Sequence, residues 1–568
     1  MLPPEILTTL SEAARAMTPP AMAGALTAGT WRPESDASAW LRAVTVAMST
    51  RPGEFEQALA RFYEGQLALW EHLRHASKEP PPDHRAEDWS QAPWFAILRR
   101  QHDLWVQWVR DVRALLELGG KAGRRLDFLL RQGVEVSDPD NHFATNPQAI
   151  ARALSTGGDS VQRGLANLAD DLRRGRISLS DRTALKPGRD LATTPGAVVH
   201  ESMVAQLIQY RPVTTEVHRR PLLIVPPFIN RFYVLDLRPE NSLIRFALEQ
   251  GFQVFLISWR NACDATASSS WDDYVRSGVI ESVQVASRIA DSPGTNLLGY
   301  CVGGTLAATA AAVLGEDSVE SITSLSLLAT LLDFSDAGEI GAFIDDAAVR
   351  DIESKAGRAG IVRGSTLALG FASLRARELI WHFARHNYLL GETPPANDLL
   401  HWNEDAIDVP GPLFSFYLRH MYLDNALARA RGLEVMGRRL DLGRCRIPAY
   451  GMAARGDHIV PWQAAFRSFA LLGGRRRFVV TEGGHVGAVA TPGSRARGYW
   501  TGRQIAGTAE GWFDAARMRP GSWRTDWARW LSPHAGDHCS APASLGATGH
   551  PPLEPAPGRY VLAPAIQT

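Results

Sequence analysis

Apolar positions recur at helical spacing through the first third of the chain, with few β-branched runs among them. This spacing predicts helices over Phe55–Leu73 and Trp94–Leu118. Proline-rich breaks at Pro80–Pro82 and at Pro147 separate the helical stretches. We therefore expect an N-terminal helical domain over residues 1–195.

After about residue 195, short apolar runs alternate with helical segments. The runs are Leu222–Val225, Val254–Ser258, Asn296–Gly299, Ile322–Leu328, Ile447–Tyr450 and Arg477–Val480. Buried runs separated by helices are typical of a parallel sheet with crossover helices. The pattern predicts an α/β catalytic domain over residues 196–568, with a mostly parallel central sheet.

The strand rhythm stops between residues 333 and 440, where aromatic residues are frequent and the spacing is helical. We interpret this stretch as a helical lid inserted into the α/β domain. The tail after about residue 535 is rich in Pro, Ala and Gly, and is expected to be loop-like.

Composition and charge exclude several classes of function. The 568 residues include 60 basic and 60 acidic side chains, so the chain has no global attraction for nucleic acid or anionic membranes. Its four cysteines are far apart, with no Cys-x-x-Cys and no Cys/His cluster at metal spacing. So few thiols indicate a reducing compartment, and we expect no metal site.

No targeting or membrane-spanning segment is apparent. Met1–Glu5 lacks the basic start followed by an apolar run that marks a signal peptide. The longest apolar stretch, Leu306–Leu314, is far shorter than the roughly 20 residues that a membrane span needs. We expect a soluble, cytoplasmic protein.

The strongest chemical signal is the run Gly299-Tyr300-Cys301-Val302-Gly303-Gly304, which follows an apolar strand and opens an Ala-rich helix. This is the G-x-S-x-G nucleophile elbow of the α/β-hydrolase fold, with Cys in place of Ser. Small neighbours permit the sharp turn, and the helix N-terminus favours a thiolate. The motif predicts Cys301 as nucleophile and the backbone N–H of Val302 as an oxyanion donor.

A nucleophile elbow requires an acid and then a histidine, in that chain order. Asp457 follows the fifth of the apolar runs, and His485 lies on a Gly-flanked loop after the sixth. The order Cys301, Asp457, His485 therefore predicts a catalytic triad. His458 is an alternative base, although its place beside the acid is unfavourable for orientation by it.

A second oxyanion donor is expected from the loop after the first strand of the series. The segment Pro226-Pro227-Phe228-Ile229-Asn230-Arg231 occupies that place, and we predict a backbone N–H of Ile229 or Asn230. The alternative is a purely structural turn held by the two prolines.

Taken together, these and further motifs resemble one family, the class I poly(3-hydroxyalkanoate) synthases of the α/β-hydrolase superfamily. The likeness runs from about Trp89 to the C-terminus. Besides the elbow, the acid and the histidine, it rests on Pro226–Tyr233, Ser258–Asn261, Trp271–Tyr274, Leu331–Phe334, Trp402–Ala406, Tyr417–Arg419, Asp457–Trp462, Thr193–Val199 and Thr145–Pro147.

The resemblance implies an acyltransferase that polymerises (R)-3-hydroxyacyl-CoA, of short chain such as 3-hydroxybutyryl-CoA, and releases CoA. It carries the family's nucleophile, acid and histidine onto Cys301, Asp457 and His485. It further implies a covalent acyl-cysteine, no cofactor, and a homodimer at the surface of cytoplasmic polyester granules. Granule-coating proteins would be its neighbours.

Other interpretations remain open. The chain departs from the family at Ala262-Cys263-Asp264 and after His485, at Val486–Pro492. A cysteine-dependent hydrolase or thioesterase would share the triad, and a non-catalytic granule-binding relative would lack activity. Arg231, Arg260 and Arg419 are candidates to meet the phosphates of CoA, against plainly structural roles.

Overall fold

The computed structural model describes residues 34–74, 93–181, 183–315, 321–357, 360–502, 505 and 507–563. The break at Pro80–Pro82 and the start of the family likeness at Trp89 lie outside these residues. The chain divides into two compact units. The first joins residues 1–181 to residues 368–395, and the second joins residues 182–367 to residues 396–568. The domain boundary at residue 195 and the lid over residues 333–440 stay predictions.

The first unit is helical. Its longer helices are α1 (Glu34–Thr50), α2 (Pro52–Arg74), α3 (Pro93–Leu115), α4 (Gly120–Ser137), α5 (Pro147–Ser155) and α6 (Asp159–Arg174). The later segment adds Arg377–Trp381, His382–Ala384 and Arg385–Leu389. Helices α2 and α3 confirm the two predicted from spacing, and α3 ends three residues earlier than expected, at Leu115 rather than Leu118. The rings of Phe62 and Trp108 pack these two helices together, with centroids 5.7 Å apart.

The second unit is built on a sheet that has eleven strands within the described residues. They are β1 (Gly196–Glu201), β2 (Ala205–Tyr210), β3 (Leu222–Val225), β4 (Val254–Trp259), β5 (Thr295–Tyr300), β6 (Ile322–Leu328), β7 (Ala449–Ala454), β8 (Arg476–Thr481), β9 (Gly498–Thr501), β10 (Arg517–Pro520) and β11 (Glu554–Pro555). Their spatial order is β10-β9-β8-β7-β6-β5-β3-β4-β2-β1-β11.

All six runs predicted from the apolar pattern are confirmed as the central strands, β3 to β8, and they pair in parallel. Strand β7 begins two residues later than the run at Ile447, because Pro448 has no N–H to donate to a ladder. The flanking strands are antiparallel and were not predicted. Polar or small residues interrupt the sequences of these strands, so they lack the continuous apolar runs that mark buried parallel strands.

Helices cover the sheet in this unit. They are α7 (Leu243–Glu249), α8 (Glu281–Ile289), α9 (Val302–Leu314), α10 (Asp346–Ala356), α11 (Gly364–Ser373, whose last residues belong to the first unit), α12 (Asp398–Glu404), α13 (Gly411–Phe416), α14 (Trp462–Ala470), α15 (Ala509–Ala515) and α16 (Trp523–Leu531). Tyr274–Ile280 and Tyr417–Leu423 are single π-helical segments continuous with α8 and α13.

Two predictions about the later chain have different outcomes. Among the described residues, the central sheet has no strand between β6 and β7 in the sequence. This agrees with the absence of strand-like apolar runs between residues 333 and 440. The expectation of a loop-like tail after residue 535 was wrong in part, since His538–Ser540, β11 and the short helix Arg559–Leu562 are regular. The two strand segments are ordered by pairing with strands far away in the sequence, and no local sequence pattern predicts such pairing.

Parallel pairing gives the fold its functional edge. The carboxyl ends of β3, β5, β7 and β8 face one edge of the sheet, at Val225, Tyr300, Ala454 and Thr481. The loops that follow them therefore converge.

Candidate active site

Cys301 lies at the turn between β5 and α9, with φ 53° and ψ −129°. A non-glycine residue rarely adopts such a positive φ, and the strain is typical of a nucleophile elbow. The backbone N–H of Cys301 donates to the carbonyl of Leu328 at 2.9 Å, which ties the turn to the next strand. The thiol is partly exposed.

Glycines make this turn possible by close approach. A Cβ on Gly303 would lie 2.2 Å from the carbonyl oxygen of Val225, and one on Gly299 would lie 2.3 Å from Cα of Gly304. These distances are well below contact, so α9 can start against the end of β3 only where side chains are absent. The local sequence thus fixes both the turn and its neighbour.

The predicted acid and histidine meet each other. Asp457 Oδ2 lies 2.7 Å from Nδ1 of His485, and Asp457 Oδ1 accepts from the N–H groups of Ile459 and Val460 at 2.9 and 2.8 Å. The Asp457 side chain is fully buried. A carboxylate held by two N–H groups fixes the orientation of the imidazole. The histidine whose ring contacts the acid is therefore His485, whereas His458 is the next residue after the acid in the sequence.

The third member is Cys301, whose charge and side-chain hydrogen bonding both act to raise the pKa of His485. With Nδ1 held by Asp457, Nε2 is the atom left to face the sulfur. Burial works to lower the pKa of His485, but the negative charges of Asp457 and Cys301 outweigh it and raise this pKa well above its usual value. The site thus favours the protonated form of His485.

Tyr300 contributes to the site and was not singled out from the sequence. Its ring stacks on His485 with centroids 5.3 Å apart, and its hydroxyl donates to the His485 carbonyl at 3.2 Å. Burial, with the charges of Cys301 and Asp457, raises the pKa of Tyr300 well above its ordinary value, so it stays a neutral donor. The sequence signal that could have identified Tyr300 is its position directly before the predicted nucleophile, Cys301.

The N–H groups predicted to meet the oxyanion have no acceptor in the described elements around them. Val302 is the first residue of α9, so its N–H has no partner within the helix. Over the stretches that the structure describes, the N–H groups of Ile229 and Asn230 donate to no protein acceptor. The carbonyl of Ile229 accepts from the N–H of Ile407 at 2.9 Å, and Asn230 bridges to Ala406. This loop is thus held by residues of the predicted insertion.

Two tyrosines of the predicted insertion, Tyr417 and Tyr422, interact electrostatically with Cys301. The charge of Cys301 contributes, after burial and Tyr422, to raising the pKa of Tyr417, and it also acts on Tyr422. Tyr417 stacks on Trp271 at 5.9 Å and meets the ring of Phe228 edge-on at 6.0 Å. Phe334 lies against both tyrosines. The two tyrosines therefore belong to a packed cluster of aromatic rings.

The three candidate CoA-binding arginines have different environments. Arg231 is buried and paired with Asp405, so it is not accessible to a phosphate in this structure. Arg419 makes two hydrogen bonds to Glu353, at 2.5 and 2.7 Å. Arg260 lies over the ring of Tyr560, 5.6 Å from its centroid.

The described residues contain neither a metal-binding cluster nor a membrane-spanning helix. No group of three or more His, Cys, Asp or Glu side chains there is placed to hold a metal ion. Nor does any helix there have the length and apolarity to cross a membrane.

The sequence is similar to known protein families and to individual proteins of known activity. The family model for the N-terminus of poly-beta-hydroxybutyrate polymerase (PhaC) matches residues 83–247, and that for the alpha/beta hydrolase fold matches residues 220–489. The sequence is 40% identical over 525 residues to the poly(3-hydroxyalkanoate) polymerase subunit PhaC of Cupriavidus necator, covering 90% of this chain and 89% of that protein.

Two further relatives are similar over nearly the same length. The poly(3-hydroxyalkanoate) polymerase of Methylorubrum extorquens is 36% identical, over 90% of this chain and 87% of its own. The poly(3-hydroxyalkanoate) polymerase subunit PhaC of Rhizobium meliloti is also 36% identical, over 84% of this chain and 78% of its own. The fold predicted from the sequence, that of an α/β hydrolase, is confirmed.

Proposed function

This chain belongs to the poly(3-hydroxyalkanoate) polymerase family, a class of acyltransferases, and on that premise we propose how its residues carry the reaction. Cys301 takes up the acyl group of an (R)-3-hydroxyacyl-CoA and passes it to the hydroxyl end of a growing polyester. The observation that supports this most directly is the buried Asp457–His485 pair, together with the contribution of Cys301 to raising the pKa of that histidine.

In the first step the enzyme is acylated. His485 takes the thiol proton, and Asp457 holds the imidazole in the required tautomer. The Cys301 sulfur attacks the thioester carbonyl, and the oxyanion that forms is met by the N–H groups of Val302 and of Ile229 or Asn230. The intermediate collapses with loss of the CoA thiolate, which takes the proton from His485.

In the second step a hydroxyl group attacks the acyl-Cys301 thioester. His485 accepts the hydroxyl proton as the new ester bond forms, and the Cys301 sulfur is released. A thioester is a better acyl donor to an alcohol than a serine ester, which explains a cysteine at this elbow. Neither step calls for a cofactor, and CoA leaves as product.

Water would compete with the hydroxyl group, so it has to be excluded. We assign this task to the insertion over residues 333–440, whose Tyr417 and Tyr422 interact electrostatically with Cys301. Replacing Tyr417 by Ala should raise the yield of free hydroxyacid relative to polymer, whereas Tyr417→Phe, which keeps the ring, should not. An unchanged product ratio in the Ala variant would contradict this role.

The remaining features follow from the family. The match of residues 83–247 to a poly-beta-hydroxybutyrate polymerase model supports 3-hydroxybutyryl-CoA as a substrate. We also propose a homodimer that works at the surface of cytoplasmic polyester granules, beside granule-coating proteins.

The test uses purified enzyme and (R)-3-hydroxybutyryl-CoA, with CoA release and turbidity followed together. Wild-type protein should release CoA and form polymer of high mass, and Cys301→Ala should do neither. Release of CoA with only free hydroxyacid would identify a hydrolase instead. Undiminished CoA release by Cys301→Ala would disprove the proposed nucleophile.

A further inference from the structure

Arg231 directly follows the Ile229–Asn230 loop, and only 1% of its side chain is exposed. Each nitrogen of its guanidinium group meets one acceptor. Nε lies 3.4 Å from Oδ1 of Asp405, Nη1 donates to the carbonyl of Tyr560, and Nη2 donates to the carbonyl of Ala563 at 2.5 Å. A buried cation with an acceptor at each of its three nitrogens is held in one place.

Two of these acceptors belong to the C-terminal clasp, the name used here for residues Glu554–Ala563. The clasp is anchored to the sheet edge by β11, which pairs with β1. The N–H of Ala556 donates to the carbonyl of Gly196 at 3.0 Å. Further along, the N–H of Tyr560 donates to Oε1 of Gln206 at 3.4 Å. The two carbonyls that receive Arg231 are therefore fixed relative to the sheet.

The opposite side of the loop is held by residues next to α12. The indole N–H of Trp402 donates to the carbonyl of Arg231 at 2.7 Å, and Asp405 accepts from the hydroxyl of Tyr233 at 2.9 Å. The N–H of Ile407 binds the carbonyl of Ile229. Arg231 is thus the residue at which the two supports of the loop meet.

We propose that Arg231 and the C-terminal clasp position the Ile229–Asn230 loop so that its N–H groups meet the oxyanion formed at Cys301. This rests on the proposed function. Without the clasp, two guanidinium nitrogens would be buried without acceptors, a costly state that drives the side chain towards water. The main chain next to Asn230 would move with it. The distant C-terminus would then govern the acylation step.

The affected step is the attack of the Cys301 sulfur on the thioester carbonyl. A carbon–sulfur bond forms while the carbonyl π electrons move to oxygen, and this oxyanion is what the loop stabilises. Alkylation of the same sulfur by iodoacetamide forms a carbon–sulfur bond and expels iodide, without an oxyanion. The two reactions therefore separate positioning of the loop from integrity of the thiol site.

The experiment compares both reactions in four proteins: wild type, Arg231→Lys, a chain ending at Arg559, and a control ending at Pro564. Lysine keeps the charge, but its single nitrogen cannot reproduce the planar spread of donors over the three guanidinium nitrogens. The control that ends at Pro564 keeps the carbonyls of Tyr560 and Ala563, whereas the chain that ends at Arg559 lacks both. Acylation is measured as CoA release in the first turnover with (R)-3-hydroxybutyryl-CoA, and Cys301→Ala shows that both reactions report this sulfur.

We expect acylation to fall about a hundredfold in Arg231→Lys and in the chain ending at Arg559, as when one oxyanion donor is lost. Alkylation should keep the wild-type rate, and the control should match wild type in both reactions. Unchanged acylation in the two variants would overturn the proposal, and so would an equal loss of both reactions, which indicates a purely structural role. Wild-type protein that is alkylated but not acylated would instead overturn the proposed function itself.

Discussion

At the scale of single residues, the site depends on a strained cysteine and on charges buried beside it. Cys301 has a positive φ, and positions 299 and 303 beside it have no room for a side chain. Asp457 and His485 are buried in contact with each other. Both features bear directly on chemistry, because they fix where the sulfur points and which protonation state the imidazole adopts.

Replacing Asp457 by Asn should lower the rate of CoA release about a hundredfold or more, since the imidazole loses its orienting acceptor. The change also removes a negative charge that raises the pKa of His485. The imidazolium of the variant should therefore lose its proton at lower pH than in the wild type. First-turnover kinetics and an NMR titration of His485 measure the two effects.

Asp264→Asn is the matched control, because this carboxylate is exposed on another loop. It should leave both the rate and the His485 titration unchanged. An Asp457→Asn protein whose imidazole titrates as in wild type would contradict the electrostatic account.

Gly303→Ala tests the close approach of α9 to β3. A Cβ 2.2 Å from a backbone oxygen cannot be relieved by a side-chain rotation, so the turn has to shift. We expect the free energy of unfolding to fall by about 2 kcal/mol or more, together with a loss of activity. Urea denaturation provides the measurement. Gly493→Ala, where the new Cβ makes ordinary contacts, should change neither quantity appreciably.

At the scale of elements, helix ends explain motifs that are not catalytic. The run Thr145-Asn146-Pro147, part of the family likeness, forms the start of α5. Oδ1 of Asn146 accepts from the N–H of Ala149 at 3.0 Å, and Pro147 takes the first helical position, where no N–H is needed. The break predicted at Pro147 is therefore a helix start.

Asn146→Ala should destabilise the first unit by about 1 kcal/mol through loss of this cap. Asn146→Asp keeps the capping oxygen but loses the amide that donates to the carbonyl of Asp140 at 2.7 Å. It should therefore cost less than the Ala variant. Hydrogen exchange of the α5 amides would reveal the change, and equal protection in Ala and wild-type proteins would exclude a capping role.

At the scale of the whole molecule, the first unit is discontinuous in sequence. Residues 368–395 lie within the predicted lid, yet they pack with residues 1–181. The hydroxyl of Tyr388 donates to Asp171 at 2.7 Å, and the amide of Asn387 donates to the carbonyl of Ser178 at 2.8 Å. A Cβ on Gly164 would lie 2.0 Å from the Tyr388 carbonyl, so α6 and this segment touch through their backbones.

A chain consisting of residues 183–568 should therefore expose the segment 368–395. Its buried polar groups lose their partners, and local unfolding becomes less costly. Limited proteolysis followed by mass spectrometry should find early cleavage within this segment in the short chain, but not in the full-length protein. Equal resistance of the segment in both would show that it is stable without residues 1–181.

Much of the fold and the site could be predicted because their signals are local. Buried parallel strands are largely apolar, so the pattern of apolar runs along the chain was enough to predict β3 to β8. In this fold each functional loop follows a strand end, which placed Cys301, Asp457 and His485 in the correct loops. The edge strands could not be found in this way, because pairing with distant partners defines them.

The sequence by itself determined the order of strands and crossover helices, the elbow at Cys301 and the loops that carry the acid and the histidine, since backbone sterics and short-range burial dictate these. Only the tertiary structure decided which groups surround them. The contact of Tyr300 with His485 joins residues 185 positions apart, and that of Arg231 with Tyr560 joins residues 329 positions apart. Such pairs leave no periodic trace along the chain, because they arise only when the packed sheet brings distant loops to one edge.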